Sequence, residues 1–343
     1  KKLYNKFMTK SFVHLHAHTE YSMLDGAAKI VDYLKKVKEL NQPAAAITDH
    51  GNLYGAMEFV QKANDFGIKP IIGYEAYITP GSRFDRPDRE NNKRYHLTLL
   101  AENNIGYQNL VELVSKAYTE GYYYKPRIDY ELLDQHHDGL IALSGCLGGE
   151  LAQHLAPDGS VEEGNTSNER SFEKALDIAK KYQSIFGKEN YFIEIHNHGI
   201  KQQLDILDDL VEIAELIDAP LVAANDSHYV EENGAEAHDA LLCVQTNRTL
   251  DDESRFRFDG SGYYVKSSEE MRKLFPEDKY PGACDNTLAI ADRVKYEFNF
   301  DNSYLPDFPI EDKNVSPEEL LKIKVYEGGE SKYGTLTSEI IER

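Results

Sequence analysis

Short apolar runs alternate with longer amphipathic segments along much of the chain. The apolar runs, read as strands, are 12–15, 44–48, 69–78, 97–100, 140–143, 191–195 and 220–224. The amphipathic segments, read as helices, are 27–40, 53–66, 106–117, 168–186 and 202–217. Strands that alternate with helices favour a parallel sheet with helical crossovers. The pattern predicts an α/β fold built as a closed β/α barrel, with a doubly wound sheet as the alternative.

Past Tyr229 the alternation fades, and the domain organisation changes. Further helices are predicted at 238–244, 267–275 and 287–293. We expect one folded domain over 8–297, an extended linker over 298–316 and the truncated start of another region over 317–343. Residues 1–7 precede a methionine and are interpreted as a tag remnant.

Three histidines alternate at the end of the first predicted strand. His14, His16 and His18 point to one face if this segment is extended, because side chains repeat every second residue along a strand. Imidazole is the commonest side-chain metal ligand, so the row indicates a metal site. The competing interpretation is a solvated, histidine-rich strand end or a tag remnant.

Acidic, histidine and cysteine residues also mark the other predicted strands or the loops that follow them. They are Asp25, Asp49, His50, Glu75, Cys146, Asp226 and His228. Any one of them alone is explained as a loop cap. In a β/α barrel, however, the carboxyl ends of the strands form one face, where such groups converge. Mixed imidazole and carboxylate ligands suit Zn²⁺, Mn²⁺ or Fe²⁺, and bridging carboxylates are typical of phosphatases and nucleases.

Composition narrows the range of functions. The formal charge of −21 disfavours nonspecific binding to a phosphate backbone, so a nucleic-acid function requires local positive charge from a basic loop or bound metal. Three cysteines without a CxxC pair indicate a reducing compartment, and no apolar run approaches the roughly 20 residues of a membrane span. We therefore expect a cytoplasmic protein without a membrane partner. The phosphate-binding loops of nucleotide and dinucleotide enzymes and the serine-hydrolase elbow are missing from the sequence.

Four motifs resemble those of the PHP (polymerase and histidinol phosphatase) superfamily. They are His14-Leu15-His16-Ala17-His18-Thr19, Thr48-Asp49-His50-Gly51, Gly73-Tyr74-Glu75 and Asp226-Ser227-His228. Segments 20–27, 95–102, 123–129 and 238–246 are similar to the PHP domains of bacterial replicative DNA polymerases. Segment 321–343 is similar to the start of the palm of those polymerases.

The resemblance implies a distorted seven-stranded β/α barrel, with a C-terminal extension leading toward a polymerase palm. It also implies three divalent metal ions, Zn²⁺ or Mn²⁺, with Fe²⁺ and Mg²⁺ as further candidates. Carried over residue by residue, the ligands that the resemblance implies are His16, His18, Asp25, His50, Glu75, His96, Cys146, Asp226 and His228. Within this set, Asp226, His228, Glu75 and His18 are expected to be catalytic.

Two histidines differ from the rest of this pattern. His14 stands where many small-molecule members of the superfamily have Asp, and we expect it to lie behind the ligands. His96 precedes its predicted strand, at the end opposite the expected active face. Its assignment rests on the resemblance, and the polar insert 79–94 is expected to reroute the chain there.

Aromatic and cationic residues in 122–127 indicate a substrate groove, because aromatic rings stack bases and cations hold phosphates. Tyr124, Lys125 and Arg127 are the predicted contacts, with ordinary core and surface packing as the alternative. His196 and His198 alternate at the end of the sixth predicted strand. We interpret them as a hydrogen-bonded structural pair, with a substrate contact as the less favoured alternative.

The resemblance favours a 3′→5′ exonuclease that proofreads as part of a DNA-directed DNA polymerase and hydrolyses phosphodiester bonds with metal-activated water. The expected partners are a single-stranded or frayed 3′ DNA end, the rest of a polymerase chain and other replisome subunits. One alternative is a small-molecule phosphatase, such as one acting on histidinol phosphate. The other is a catalytically silent module, stabilised by metal, that docks polymerase subunits.

Overall fold

The computed structural model describes residues 11–343 apart from 24, 89–90, 158–168, 299, 302–304, 306–307 and 313. The predicted tag remnant, 1–7, and parts of the predicted linker therefore lie outside the described residues. The chain divides after Tyr296 into two compact units. The second unit contains two helices, Pro317–Tyr333 and Ser338–Glu342, and neither buries a side chain.

A curled seven-stranded sheet forms the centre of the first unit. Its strands are β1 (Ala44–Ile47), β2 (Lys69–Ile78), β3 (Tyr95–Ala101), β4 (Arg127–Ile128), β5 (Leu140–Leu143), β6 (Tyr191–Ile195) and β7 (Leu221–Ala223). The order is β1-β2-β3-β5-β6-β7, and β4 pairs with β2. The strand pairs are parallel except for β2–β3 and β3–β5, which are antiparallel. The expectation of a parallel sheet is therefore wrong at β3.

Helices cover the sheet and connect its strands. In this unit they are Ile30–Glu39 (α1), Ala56–Phe66 (α2), Asn104–Thr119 (α3), Tyr130–Gln135 (α4), Glu150–Leu155 (α5), Phe172–Phe186 (α6), Lys201–Ile217 (α7), Ala235–Thr246 (α8), Ser268–Leu274 (α9) and Asp285–Arg293 (α10), with a 3₁₀ turn at Glu232–Gly234. None of the helices in the described part of the chain is long and apolar enough to cross a membrane.

The predicted first strand, 12–15, is extended but is not part of the regular sheet. On one side, the Ala46 and Thr48 amides donate to the carbonyls of His14 and Ala17, at 3.1 and 2.8 Å. On the other side, the His18 amide donates to the Ser227 carbonyl at 2.8 Å. This irregular segment bridges β1 and the end of β7, and so closes the curled sheet. The predicted α/β fold with a distorted barrel is confirmed, with this segment in place of a regular first strand.

An apolar cluster fills the interior of the barrel. Its buried members are Val13, Leu15, Ala44, Ala46, Ile71, Leu100, Ile141, Leu143, Phe192, Val222, Leu288, Ile290, Ala291 and Val294. Burying each large aliphatic side chain contributes about 1.5–3 kcal/mol. Because α10 supplies part of this cluster, and the Tyr296 hydroxyl donates to the Pro70 carbonyl at 2.8 Å, the chain up to Tyr296 packs with the barrel.

Candidate metal centre

Glu75, in β2, is in contact with ligand atoms from several segments of the chain. The neighbours of its Oε1 are His96 Nδ1 at 3.0 Å, His16 Nε2 at 3.4 Å and Cys146 Sγ at 3.6 Å. The neighbours of its Oε2 are His50 Nδ1 at 2.7 Å and His18 Nε2 at 3.5 Å. Glu75 is almost completely buried, so these contacts take place away from solvent.

Asp226 and Asp25 complete the cluster on the β7 side. Asp226 Oδ1 lies 3.1 Å from His18 Nε2, 3.4 Å from His16 Nε2 and 3.5 Å from His228 Nδ1. Asp25 reaches His50 Nε2 at 2.8 Å and His228 Nε2 at 3.7 Å. The structure thus brings all the predicted ligands together.

The antiparallel direction of β3 explains the position of His96. Tyr77 near the end of β2 pairs with His96 near the start of β3. Since β3 runs against its neighbours, its first residues lie at the carboxyl ends of the parallel strands. Gly148 packs on the His96 ring so closely that a Cβ there would lie 2.8 Å from Nδ1. The reversed strand and this glycine loop together hold His96 in the cluster.

The inward-facing atoms of the cluster fit divalent cations. Buried atoms without a hydrogen-bond partner among the described residues include His16 Nε2, His18 Nε2, Asp25 Oδ1, His50 Nδ1, Glu75 Oε2, Asp226 Oδ1 and His228 Nε2. Their contacts are with one another, as histidine–carboxylate ion pairs that range from 2.7 Å between His50 Nδ1 and Glu75 Oε2 to 3.7 Å between His228 Nε2 and Asp25 Oδ1. Leaving one buried polar atom unpaired costs about 1–3 kcal/mol, so a group of them points to a ligand that satisfies them.

Triads of these residues have ligand atoms close enough to share one ion. The triads His18–His50–His228, His16–His18–Asp226 and His50–Glu75–His96 each keep their ligand atoms within 4.8 Å of one another. Nitrogen and carboxylate oxygen in one triad suit Zn²⁺, Mn²⁺ or Fe²⁺ better than Ca²⁺. Cys146 adds a sulfur atom beside Glu75, and thiolate favours Zn²⁺.

The charges in the cluster are coupled. Burial alone raises the pKa of Glu75, but His96, His50 and His16 hold the pKa of its carboxyl well below the usual value. Burial alone lowers the pKa of His16, but Asp226, Glu194 and Glu75 raise that pKa well above 6.5. The pKa of His50 is also raised well above 6.5, against burial, by Tyr77, Glu75 and Asp25. Without metal, protonated imidazoles therefore balance the buried carboxylates at neutral pH.

We expect metal binding at pH 7 to release about three protons, because His16, His50 and the Cys146 thiol, whose pKa burial raises, must deprotonate before they bind a cation. Apparent metal affinity should rise as the pH is raised, since protons compete for the same nitrogen atoms. Titration calorimetry of the metal-free chain with Mn²⁺, in buffers of different ionisation enthalpy, measures this release. Heats that are the same in every buffer would contradict the protonation of His16 and His50 in the metal-free chain.

Glu194, in β6, is a supporting residue that was not predicted from the sequence. Its Oε1 lies 2.7 Å from His16 Nδ1 and 3.0 Å from His196 Nε2, and its Oε2 accepts from the Gly145 amide at 2.9 Å. A carboxylate on the far nitrogen of a metal-ligating histidine fixes the tautomer and the ring orientation. The only signal in the sequence is one acid inside an otherwise apolar strand.

We expect Glu194→Gln to lower metal affinity at the His16 position by about 10- to 100-fold. The amide keeps the size of the side chain but loses the charge that orients and polarises His16. Metal affinity, measured by competition with a chelator, is the informative quantity, because a purely structural defect would lower only the melting temperature. Glu150→Gln is the control, since Glu150 is a buried carboxylate that accepts from Tyr182 at 2.8 Å.

His18 is held by a second chain of hydrogen bonds. His18 Nδ1 lies 2.8 Å from Ser22 Oγ, and Ser22 Oγ donates to Asp49 Oδ1 at 2.9 Å. Asp49 also accepts from the Thr19 amide at 2.6 Å and the Thr19 hydroxyl at 2.8 Å. The two residues of the Asp-His pair in the second motif therefore have different roles. His50 faces the cluster, and Asp49 fixes the loop that carries His18.

The remaining histidines lie outside the triads of the predicted ligands. His14 is buried and its Nε2 lies 2.8 Å from the Lys266 carbonyl, while burial lowers the pKa of its imidazole to about 4. His198 Nε2 lies 2.8 Å from the Asn225 carbonyl, and its Nδ1 lies 2.8 Å from Gln203 Nε2. His196 contacts the Glu194 carboxylate. Both members of the interpreted structural pair are therefore hydrogen-bonded.

The predicted substrate contacts have different environments. Tyr124 is 63% exposed, and Lys125 lines the cleft above the cluster with Nζ 3.2 Å from the Tyr77 hydroxyl. Arg127 is instead fully buried, which contradicts its prediction as a groove residue. Its guanidinium donates to the Gly121 and Arg83 carbonyls, both at 3.1 Å, and so holds the insert that precedes β3.

A cleft of about 540 Å³ opens directly above the cluster. The predicted ligands Asp25, His50, His96, Cys146, Asp226 and His228 form part of its wall. Arg94, Lys125 and Arg257 place positive charge around it. The arrangement offers an acidic, histidine-rich floor for cations and a basic rim for an anionic substrate.

Comparison with known proteins identifies the family of the chain. The sequence model of the PHP domain matches residues 14–198, so the chain belongs to the PHP domain family. The family assignment predicted from the motifs is thereby confirmed.

The chain is also similar to the DNA polymerase III subunit alpha of several bacteria. It is 46% identical to that of Mycobacterium tuberculosis over 318 residues, which is 88% of this chain and 26% of the relative. It is 44% identical to that of Thermus aquaticus over 331 residues, covering 91% of this chain and 25% of the relative. The chain thus spans about a quarter of the length of these curated relatives. The predicted likeness to replicative polymerases is confirmed.

Among solved structures, the chain is similar to a putative metal-dependent phosphoesterase from Bifidobacterium adolescentis. The identity is 11% and the TM-score is 0.39, over 77% of this chain and 95% of that one.

Proposed function

We propose that this domain is a metal-dependent 3′→5′ exonuclease that proofreads for a replicative DNA polymerase. The observation that carries the proposal is the convergence of the predicted ligands, with unpaired inward atoms, beneath one cleft. When bound there, divalent ions supply Lewis-acid activation of water and neutralise a phosphodiester. A site built only for stability has no need of an open cleft above it, so the geometry favours turnover over a silent docking module.

The roles of the side chains follow from their positions. Glu75 and Asp226, each in contact with several imidazoles, would bridge ions, while His18 and His228 would hold them from the β7 side. His16, which contacts both carboxylates, would complete the ligand set together with the cleft-lining residues Asp25, His50, His96 and Cys146. Lys125 and Arg94, which line the cleft, would attract the phosphate, since both carry positive charge beside an otherwise acidic floor.

The proposed substrate and partners follow from the similarity of this chain to subunits of DNA polymerase III. We propose that the substrate is a single-stranded or frayed 3′ DNA end, and that the rest of a polymerase chain, beginning in the region after Pro317, delivers it. A small-molecule phosphatase is less well supported, because the chain resembles polymerase subunits over most of its length.

We expect a mismatched 3′ end to be cut up to about tenfold faster than a matched end. A matched end must open first, and each base-pair step is worth roughly 1.4 kcal/mol of stacking, which corresponds to a factor of ten. A single-stranded 3′ end should be cut at least as fast as the mismatched one. Initial rates on primers that differ only at the last base measure the preference.

The control for this comparison is a pair of single strands with the same two terminal bases, which should be cut equally. Equal rates on the matched and mismatched duplexes would refute proofreading and favour the silent-module or small-molecule alternatives.

A further inference from the structure

We propose that the segment Arg255-Phe256-Arg257-Phe258 forms the wall of the cleft opposite Lys125 and grips the terminal nucleotides of a single strand there. This segment is called the second wall. In this wall, Phe256 stacks on a base and Arg257 holds a phosphate. The inference rests on the proposed function and deepens it, because it assigns the contacts that bring the strand to the metal centre.

Two anchors fix this segment against the domain. Arg255 forms a two-pronged ion pair with Asp239 in α8, with nitrogen to oxygen distances of 2.8 and 2.6 Å. Such paired bonds between guanidinium and carboxylate are strong and directional. Phe258 packs its ring 4.7 Å from His228 and 4.6 Å from Tyr263, measured between ring centroids. Arg255 and Phe258 therefore hold the segment in place, and Phe258 also lines the cleft.

The two residues between the anchors face the cleft. Phe256 and Arg257 both line it, and Phe256 is 40% exposed. Arg257 is exposed and has no hydrogen-bond or ion-pair partner among the described residues. The Phe256 ring packs edge-on against Phe258, with 5.8 Å between ring centroids, and remains partly exposed to the cleft beside the Arg257 guanidinium. The same pair is what proteins use to bind single strands, by base stacking and phosphate contact.

The location of the segment suits a strand that enters the metal centre. Phe258 contacts His228, so the segment lies on the β7 side of the cluster. Lys125 lies on the other side, through its contact with Tyr77, whose ring is 5.9 Å from that of His50. A strand with its terminal phosphate at the centre would pass between these two walls. Because the whole chain has a formal net charge of −21, local cations of this kind, together with bound metal, favour the approach of DNA to the cleft.

The test measures binding of a fluorescein-labelled oligothymidylate of twelve nucleotides to the 343-residue chain with Mn²⁺ at several salt concentrations. Every sample carries Asp226→Asn, so that turnover is removed equally. Arg257→Gln should lower the slope of log Kd against log salt concentration by about 0.7, the value for one phosphate contact on a single strand. Phe256→Ala should weaken binding about 5- to 150-fold without changing that slope, and Phe256→Trp should restore it.

Arg170→Gln is the matched control, since Arg170 is an exposed arginine in the same unit that is paired with Asp209 at 2.9 Å. Both substitutions in the wall are at exposed positions between the anchors, so the variants should fold. Unchanged affinity and slope in the Arg257 and Phe256 variants, or no measurable binding in the parent chain, would overturn the second wall. If the wild-type chain cuts DNA but the wall variants bind normally, only this inference fails. If the variants lose binding as expected but the wild-type chain cuts no DNA, the exonuclease proposal fails and the wall stands.

Discussion

Asp226→Asn should lower the rate of phosphodiester hydrolysis by at least about a hundredfold while the fold persists. Asp226 Oδ1 lies 3.1 Å from His18 Nε2, 3.4 Å from His16 Nε2 and 3.5 Å from His228 Nδ1, so one carboxylate contacts three imidazoles. Asparagine keeps the volume but removes the negative charge and the ability to bridge cations. Asp226 also has a φ of 45°, a backbone conformation that asparagine tolerates well, so the substitution should not strain the loop.

Rates on end-labelled DNA, together with circular dichroism of the same samples, measure this effect. Asp208→Asn is the control, because the Asp208 side chain is 86% exposed on α7 and pairs with the surface residue Lys279 at 3.4 Å. Activity close to that of the wild type in a folded Asp226→Asn chain would show that hydrolysis takes place in another part of the molecule.

Glu75→Gln should have a comparable or larger effect, because Glu75 is in contact with more of the predicted ligands than Asp226 is. We expect hydrolysis to fall by at least about a hundredfold and the bound metal to decrease. In the metal-free chain, the loss of this carboxylate also leaves protonated His50 and His16 without their shared partner. His50 keeps Asp25 at 2.8 Å and His16 keeps Glu194 at 2.7 Å, so the buried charges lose part of their compensation and the melting temperature should fall modestly.

Metal content, determined by elemental analysis after gentle purification, separates this effect from simple unfolding. Glu150→Gln again provides a buried carboxylate outside the cluster for comparison. A Glu75→Gln chain that keeps its full metal load and its activity would show that Glu75 is not a ligand.

Much of the fold was predictable because the spacing of apolar residues along the chain indicates which side chains are buried. The predicted strands 69–78 and 191–195 are β2 and β6, with the predicted bounds. Largely apolar runs of this kind are typical of strands that are buried on both faces of a sheet. The direction of β3 was not predictable in this way. A strand buried on both faces has the same apolar pattern whether it runs parallel or antiparallel, so the sequence alone left His96 at the wrong end of the barrel.

The residues of the candidate site also fall into those that could be predicted from the sequence and those that could not. Ligands that follow a strand in a recognisable motif, such as Asp226 and His228, were identified from local sequence. Glu194 was not, because a single acid inside an apolar strand gives no sign of the histidine it faces from another part of the chain. Arg127 was misassigned for a related reason. Its place beside exposed tyrosines suggested a surface role, whereas backbone carbonyls from distant turns surround its guanidinium.

The most direct test of the proposed exonuclease is a nuclease assay on 5′-end-labelled single-stranded DNA, using protein of known metal content, with and without added Mn²⁺. We predict stepwise shortening from the 3′ end that requires metal and disappears in the Asp226→Asn chain. Uncut DNA with folded, metal-loaded protein would contradict the proposal, and so would cleavage that persists unchanged in that variant.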